Sequence, residues 1–444
     1  MMVSNRDFVS QAALSGSMRD FRVPKGDNLL SRVGGFFAWQ DERRKMGVWP
    51  FTRAAVTGAH ATVTAEDDSG RRMRGVNFAS QDYLSLASHP KIKETAIEAV
   101  RQFGVHSAGS AALVGNSASS IALERKIGEF LLTDEVVLYP TGWGAGFGAI
   151  KGLVRSSDYI VLDALAHSCL QEGAKAATAN IFMHRHLDLD NCRRRLAKIR
   201  EKDAENAIMV VTEGLFSMNS DTPDIPALQE LCHEYNATLL VDVAHDLGAL
   251  GPGGRGHIGA MNMLGKVDLV MGSFSKTFAS NGGFVASHSR QVKEYLRFYS
   301  PTTTFSNALS PVQCATVLKA FEIVDSEEGE ILRNELMTNV VHLRQSLGAR
   351  KLEFYGDRSA IVAVKMGSEA LARLVSRRLP DAGLLANLVE FPAVAKGAAR
   401  FRMQVMAKHS TENIREAVEI IAACKDAALQ ELAARNAPSA SAAA

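Results

Sequence analysis

Four residues with chemically useful side chains stand at the ends of two apolar segments. The segment ATLLVDVAH, residues 237–245, ends in Asp242 and His245, and VDLVMGSFSK, residues 267–276, ends in Ser273 and Lys276. Short apolar segments bounded by turn formers predict buried strands of an α/β sheet, whose functional groups gather just past the carboxyl ends of the strands. Pyridoxal phosphate (PLP) uses these residue types, because its aldehyde forms a Schiff base with a lysine, its ring nitrogen pairs with a carboxylate, and its phosphate binds hydroxyls and backbone amides. Either motif alone is a weak signal, whereas the ordered pair is much stronger.

The two segments in their full length resemble one enzyme family. VDVAHDLGALGPGGRG, residues 241–256, and GSFSKTFASNGG, residues 272–283, are similar to the α-oxoamine synthases, which are fold-type I PLP enzymes. That family includes 2-amino-3-ketobutyrate CoA ligase, 5-aminolevulinate synthase, 8-amino-7-oxononanoate synthase and serine palmitoyltransferase. The resemblance extends roughly over residues 76 to 415. It implies an α/β fold with a large, mostly parallel sheet domain and a smaller C-terminal α+β domain.

The predicted domain boundaries follow from this resemblance and from the local pattern. Residues 1–75 are predicted to form an N-terminal arm and hairpin, 76–310 the large PLP-binding domain, 311–435 the small C-terminal domain, and 436–444 a disordered tail. The arm contains an amphipathic segment that is interrupted by Gly34 and Gly35. It is expected to pack on the body or on a partner subunit, and a helix lying on a membrane surface is the less favoured alternative.

Composition excludes several classes of protein. The chain has 444 residues, 46% of them hydrophobic, and a formal net charge of +2, which gives no reason to expect a nucleic-acid partner. Its five cysteines lack C-x-x-C spacing, so they predict neither a disulfide framework nor a metal site, and they fit a reducing compartment. His184 and His186 have no zinc-like spacing and are interpreted as a loop. The N-terminus lacks the pattern of a signal peptide, so a cytoplasmic location is expected.

The family resemblance assigns further residues to the cofactor. Gly142 and Trp143 follow a predicted strand, where a glycine turn and a helix N-terminus suit a phosphate, and they match positions against the cofactor phosphate. His167 matches the histidine that stacks on the pyridine ring, and Ser217 matches a contact to the phosphate or the ring oxygen. Ser306 matches a hydroxyl that reaches the cofactor phosphate of the partner subunit. A homodimer with shared active sites is therefore expected.

Substrate contacts and the reaction are also implied by the resemblance. Arg400 matches the arginine that binds the substrate carboxylate, although Arg402 shares its face of the predicted strand and is the alternative. Gln81 stands where the family commonly has an asparagine near the substrate. The implied reaction is a PLP-dependent decarboxylating Claisen condensation of a small amino acid, serine or glycine being favoured, with an acyl thioester on CoA or a carrier protein, giving an α-aminoketone. Lys276 would move the Cα proton, Asp242 would pair with the ring nitrogen, and His245 would bond the phenolic oxygen.

Some residues depart from the family pattern and keep other functions open. Val243 replaces an acidic residue, Ser85 replaces a glycine, and Asp246 replaces a serine, which indicates a divergent branch. Asp246 is hypothesised to change how the thioester or its carrier enters. Another fold-type I reaction, such as that of an aminotransferase or a lyase, is one alternative. A non-catalytic scaffold subunit is the other, and the presence of Lys276 argues against it.

Overall fold

The computed structural model describes residues 9–436, and helices and strands alternate along most of that span. The α-helices are α1 (Gln11–Leu14), α2 (Gly34–Lys45), α3 (Pro90–Phe103), α4 (Ala118–Leu131), α5 (Gly142–Leu153), α6 (Ser168–Ala177), α7 (Leu189–Lys202), α8 (Ile225–Glu234), α9 (Gly256–Ala260), α10 (Arg290–Tyr299), α11 (Pro301–Thr304), α12 (Pro311–Val324), α13 (Glu327–Ala349), α14 (Glu369–Arg378) and α15 (Thr411–Asn436). The strands are β1 (Ala54–Ala55), β2 (Thr62–Glu66), β3 (Arg72–Phe78), β4 (Glu135–Tyr139), β5 (Tyr159–Asp163), β6 (Ile181–His184), β7 (Ile208–Glu213), β8 (Thr238–Asp242), β9 (Leu269–Ser273), β10 (Gly283–Ser287), β11 (Phe354–Tyr355), β12 (Ile361–Gly367), β13 (Leu384–Val389) and β14 (Ala399–Gln404).

The chain divides into two compact units. The first contains the described residues up to Ser80, Thr338–Val405 and the residues from His409 onward, and the second contains Gln81–Met337 with Met406–Lys408. The predicted boundaries at residues 75 and 310 divide the chain differently. Asn436 ends α15, whereas the rest of the predicted disordered tail, 437–444, lies outside the described residues, as do residues 1–8 of the predicted arm.

The second unit is built on a seven-stranded sheet with the order β4-β10-β9-β8-β7-β5-β6. All of its strands run in one direction except β10, which is antiparallel to both β4 and β9. The strands β7 and β8 are parallel neighbours joined through α8, so they form a β-α-β unit. Parallel strands end at the same edge of a sheet, so Asp242 at the end of β8 and Ser273 at the end of β9 lie at one edge.

Apolar strands and small helical residues form the core of this unit. The middle strands β7, β8 and β9 are buried along nearly their whole length, as expected when helices cover both faces of a parallel sheet. The helix α5 packs close to the sheet because its inward face carries only small residues and one isoleucine. The core includes Ala145, Ala149, Ile150, Leu162, Val211, Leu240 and Met271.

The first unit is built on a seven-stranded sheet with the order β1-β2-β3-β13-β14-β12-β11. The predicted hairpin is present as antiparallel β2 and β3, and the side chain of Asp67 accepts the amide hydrogens of Ser69 and Arg71 in its turn. The strand β3 pairs in parallel with β13, and the other neighbours are antiparallel. N-terminal and C-terminal segments therefore share one sheet, which is why they fall in one unit.

The N-terminal arm packs within this first unit. The α-helix α2 begins at Gly34, so the glycines start the helix instead of interrupting it. Its aromatic residues join Phe21 and Trp49 in a cluster in which Phe36 and Trp39 have their ring centroids 6.0 Å apart. Within residues 9–436 no helix is both long and apolar enough to cross a membrane.

Candidate active site

A small pocket opens at the carboxyl edge of the second unit's sheet. The ends of β5, β7, β8 and β9 and the start of α5 supply its walls. Residues predicted from the sequence make up most of the lining, together with four that were not predicted as site residues. The lining consists of Gly142, Trp143, His167, Asp242, His245, Ser273 and Lys276 from the prediction, and of Cys169, Glu213, Ala244 and Met271.

Two buried carboxylates lie at the floor of the pocket. Glu213 and Asp242 are opposite each other in the register of β7 and β8, and both are nearly inaccessible to solvent. Burial raises the pKa of Asp242, and electrostatic interactions with His167 and Lys276 oppose that rise. Burial, with the charge of Asp242, raises the pKa of Glu213 well above its usual range. Lys276 is the only lysine among the lining residues. Its side chain interacts electrostatically with the carboxyl groups of both Glu213 and Asp242.

The N-terminus of α5 forms another wall. Thr141 caps the helix, and its hydroxyl accepts the amide hydrogen of Gly144 at 2.9 Å. A Cβ atom at Gly142 would lie 2.2 Å from Ser273 Oγ, so the position requires glycine for close approach of the helix to β9. Free amides of a helix N-terminus, with the hydroxyl of Ser273 beside them, form an environment that suits an anion such as a phosphate.

His167 is the N-cap residue of α6 and is anchored through its backbone. Its amide donates to Glu213 Oε1 at 2.6 Å. Its ring nitrogen Nδ1 accepts the amide hydrogen of Cys169 at 3.3 Å and lies 3.0 Å from Cys169 Sγ. Glu213 therefore connects the end of β7 to the loop that presents His167.

His245 is held by a residue far away in the sequence. The hydroxyl of Tyr83 lies 2.8 Å from His245 Nδ1, and both residues are buried. Neither Tyr83 nor Cys169 was predicted as a site residue, although Tyr83 is two residues after Gln81 and Cys169 is two residues after His167. The spacing of aromatic and cysteine side chains gave no signal of these contacts.

Four predicted site residues do not line this pocket. Gln81 begins the second unit, Ser217 is buried in the turn after β7, and Ser306 lies in the loop after α11. Arg400 lies on β14 in the first unit, where it is 4% exposed and its guanidinium carbon is 4.0 Å from the centre of the Tyr355 ring. The roles of these four residues remain predictions, and that of Ser306 was predicted for the partner's site.

Asp246 lies outside the pocket lining, and only one of His184 and His186 lies in a loop. The carboxylate of Asp246 is fully buried and accepts the amide hydrogen of His257 at 2.7 Å, outside the pocket lining, so we interpret it as support for the loop between residues 246 and 257. The loop interpretation is wrong for His184, which ends β6. It is confirmed for His186, which lies in the turn after β6, between the carboxylates of Asp163 and Asp221.

The chemistry of the pocket fits pyridoxal phosphate. Its lining offers an amine for the aldehyde and a helix N-terminus with a hydroxyl for the phosphate. Buried carboxylates are unfavourable unless a cation pairs with them, and a protonated pyridine nitrogen would be such a cation beside Asp242. The absence of a side chain at Gly142 lets the helix N-terminus lie directly beside the Ser273 hydroxyl.

Comparisons with known proteins identify a family and several relatives of this chain. The model of the family "Aminotransferase class I and II" matches residues 74–421. A serine palmitoyltransferase of Sphingobacterium spiritivorum is 32% identical over 404 residues, which cover 91% of this chain and 98% of that protein. An 8-amino-7-oxononanoate synthase of Thermoanaerobacter pseudethanolicus is 32% identical over 344 residues, covering 78% of this chain and 86% of that protein. The structure of a serine palmitoyltransferase of S. paucimobilis matches with a TM-score of 0.84 and 27% identity, covering 91% of this chain and 100% of that chain.

The fold is therefore that of the fold-type I PLP transferases, as the sequence predicted. The chain belongs to the aminotransferase class I and II family and, within it, to the α-oxoamine synthases, which are PLP-dependent acyltransferases. Its cofactor is pyridoxal phosphate.

Proposed function

We propose that this enzyme joins a small amino acid to an acyl thioester, releases the amino acid's carboxylate as carbon dioxide and the carrier as a free thiol, and yields an α-aminoketone. One observation carries the proposal. Lys276 and the buried carboxylate of Asp242 line the same pocket at the edge of a parallel sheet, beside a helix N-terminus that begins with Gly142. The names of the relatives, among them serine palmitoyltransferase and 2-amino-3-ketobutyrate coenzyme A ligase, support an amino acid and an acyl thioester as substrates.

Each residue of the pocket has its own role in holding the cofactor or in moving a proton. When bound, the cofactor supplies an electron sink for negative charge at the Cα atom. Lys276 holds the cofactor's aldehyde and afterwards accepts the Cα proton at its Nζ atom. Asp242 keeps the ring nitrogen protonated because a buried carboxylate favours a neighbouring cation. His167 covers the ring, and His245, which the Tyr83 hydroxyl orients, donates to the ring oxygen.

Phosphate and substrate contacts complete the assignment. Gly142, Trp143 and Ser273 bind the phosphate at the start of α5, and Ser217 binds the phosphate or the ring oxygen from the turn after β7. Arg400 binds the substrate carboxylate through its planar guanidinium, and its stacking on Tyr355 supports a fixed orientation of that plane. Gln81 lies near the amino acid, for which we favour serine or glycine, and the acyl group is carried by CoA or a carrier protein.

A homodimer with shared active sites is part of the proposal. Two loops of the second unit expose large apolar side chains: Val105 is 72% exposed, Val114 91% and Phe305 87%. Ser110 connects these loops, because its hydroxyl donates to the carbonyl oxygen of Thr304 at 2.8 Å. Exposed apolar patches of this kind support a contact with a second copy, and Ser306 lies directly beside Phe305.

We also propose a cytoplasmic location, which the free, buried cysteines support.

Absorbance spectroscopy of the purified protein tests the cofactor and the amino acid. We expect a band from cofactor bound to Lys276 between about 300 and 550 nm, lost in Lys276→Ala and kept in Lys266→Ala, whose side chain is exposed before β9. Glycine, alanine and serine are then added separately, and the band should shift with the substrate. A colourless protein that stays so after added pyridoxal phosphate would refute catalysis and favour the scaffold function.

Product analysis separates the proposed reaction from other fold-type I reactions. Amino acid plus acyl-CoA should release carbon dioxide and free thiol in equal amounts, whereas a keto acid without thiol would indicate an aminotransferase.

Mixed dimers test the shared site. Lys276→Ala and Ser306→Asp are each expected to be inactive, and mixing them should restore activity, because one site of the mixed dimer then has both native residues.

A further inference from the structure

His186 lies between two carboxylates from separate parts of the second unit. Its Nδ1 atom is 2.9 Å from Asp163 Oδ1, and its Nε2 atom is 3.1 Å from Asp221 Oδ2. The rings of His186 and Phe216 are nearly perpendicular, with their centroids 4.5 Å apart. Only 19% of the side chain is exposed. The histidine thus uses both of its nitrogens and its ring for contacts within the fold.

The first of these carboxylates controls the turn that leads to His167. Asp163 ends β5, and its Oδ1 atom also accepts the amide hydrogen of Leu165 at 2.8 Å. Its backbone oxygen accepts the amide hydrogen of Ala166 at 3.0 Å, so the turn is fixed up to the residue before His167. A shift of Asp163 would therefore move the loop that presents His167 to the pocket.

The second carboxylate controls the turn that contains Ser217. The amide of Phe216 donates to the backbone oxygen of Asp221 at 2.9 Å, and the amide of Ser220 donates to the oxygen of Phe216 at 2.8 Å. These bonds close a tight turn with Ser217 inside it. His186 contacts this turn twice, at its start through the Phe216 ring and at its end through the Asp221 carboxylate.

The geometry points to His186 as a positioning residue that connects the turn carrying His167 to the turn carrying Ser217, so that both reach the cofactor together. This inference rests on the cofactor contacts proposed above for His167 and Ser217. It gives the segment after β6 a function that its sequence did not indicate. His186 itself is not among the residues that line the pocket.

Charge strengthens the connection. Burial lowers the pKa of His186, but the hydrogen bonds and charges of Asp163 and Asp221 outweigh it and raise the pKa to about 9. Arg185 and Asp188, the charged residues close to it in the sequence, pair with each other. A raised histidine pKa means that the favourable interaction is fully present below about pH 6.5 and is lost as the pH rises through about 9.

Titration of the apoenzyme with pyridoxal phosphate tests the inference without using activity. We expect His186→Gln to weaken cofactor binding by about tenfold, a typical effect of removing a residue that orients a ligand contact. His184→Gln is the matched control, because His184 is also buried but its Nδ1 atom contacts only the backbone oxygen of Arg185 at 2.9 Å. Its binding should stay within about twofold of the wild type. Circular dichroism checks that each variant is folded.

Asp221→Asn tests the same connection from the other side. Its effect on cofactor binding should not multiply with that of His186→Gln in the double variant, because both changes break one contact. The dissociation constant of His186→Gln, divided by that of the wild type, should fall toward one as the pH rises through about 9, because His186 of the wild type then loses its charge. The inference would be overturned if His186→Gln bound the cofactor as tightly as the wild type, or if His184→Gln lost as much affinity as His186→Gln. It would also be overturned if the losses of affinity from His186→Gln and Asp221→Asn multiplied in the double variant. Failure of the wild type to bind the cofactor would instead contradict the proposed function.

Discussion

Asp246→Asn is expected to stabilise this protein at neutral and alkaline pH. The carboxylate of Asp246 is fully buried, and its Oδ1 atom has no hydrogen-bond partner within the described residues. The other oxygen accepts the amide hydrogen of His257, a bond that the oxygen of an asparagine side chain would keep. Burial raises the pKa of Asp246 from 3.8 to about 7, the His257 amide opposes the rise, and the charge of Asp242 adds to it.

The magnitude follows from the difference between the two pKa values. The folded protein binds this proton more tightly than the unfolded chain does, so the contribution of Asp246 to stability is fully present below pH 3.8 and is lost as the pH rises through about 7. A shift of about three pKa units at 1.36 kcal/mol each gives a cost of up to about 4 kcal/mol above that pH. Asparagine removes this cost because it stays neutral.

Equilibrium unfolding in urea at several pH values measures the effect. The two proteins should be similarly stable near pH 4, and the advantage of Asp246→Asn should grow to about 2 to 4 kcal/mol at pH 8. Asp426→Asn is the control, since Asp426 is exposed in α15 and its change should give no such dependence on pH. A difference in stability that is constant with pH, or a variant that is less stable at pH 8, would refute the reasoning.

Two further predictions concern close packing and buried charge. Gly142→Ala places a Cβ atom 2.2 Å from Ser273 Oγ, so we expect a loss of about 1–3 kcal/mol of stability, measured by urea unfolding, together with weaker binding of pyridoxal phosphate in an absorbance titration. Glu390→Ala leaves the buried Arg43 and Arg373 without the carboxylate they share, so we expect a loss of about 3–5 kcal/mol of unfolding free energy, and Glu390→Gln should lose less. Unchanged unfolding in either alanine variant would contradict the corresponding packing.

The local sequence determined the strands and the residues at their ends. Asp242 and Ser273 follow apolar segments of strand length, and the structure brings both to one edge of a parallel sheet. The N-terminus of α5 was predictable as well, because Gly142 follows a buried strand and a capping threonine. These features depend on the types and order of a few neighbouring residues, which a sequence displays directly. The β2–β3 hairpin was predicted as well, from residues that form its turn.

Only the tertiary structure decided the contacts between segments that are distant in the sequence. Tyr83 meets His245 across 162 positions, and His186 joins Asp163 and Asp221 from two different turns. The parallel pairing of β3 with β13 places the N-terminal and C-terminal segments in one sheet, which the linear domain boundaries did not anticipate. Local patterns specify the type of each element, whereas such contacts depend on which faces of the elements pack together. That choice is set by burial and hydrogen bonding over the whole unit, so no single segment of the sequence contains it.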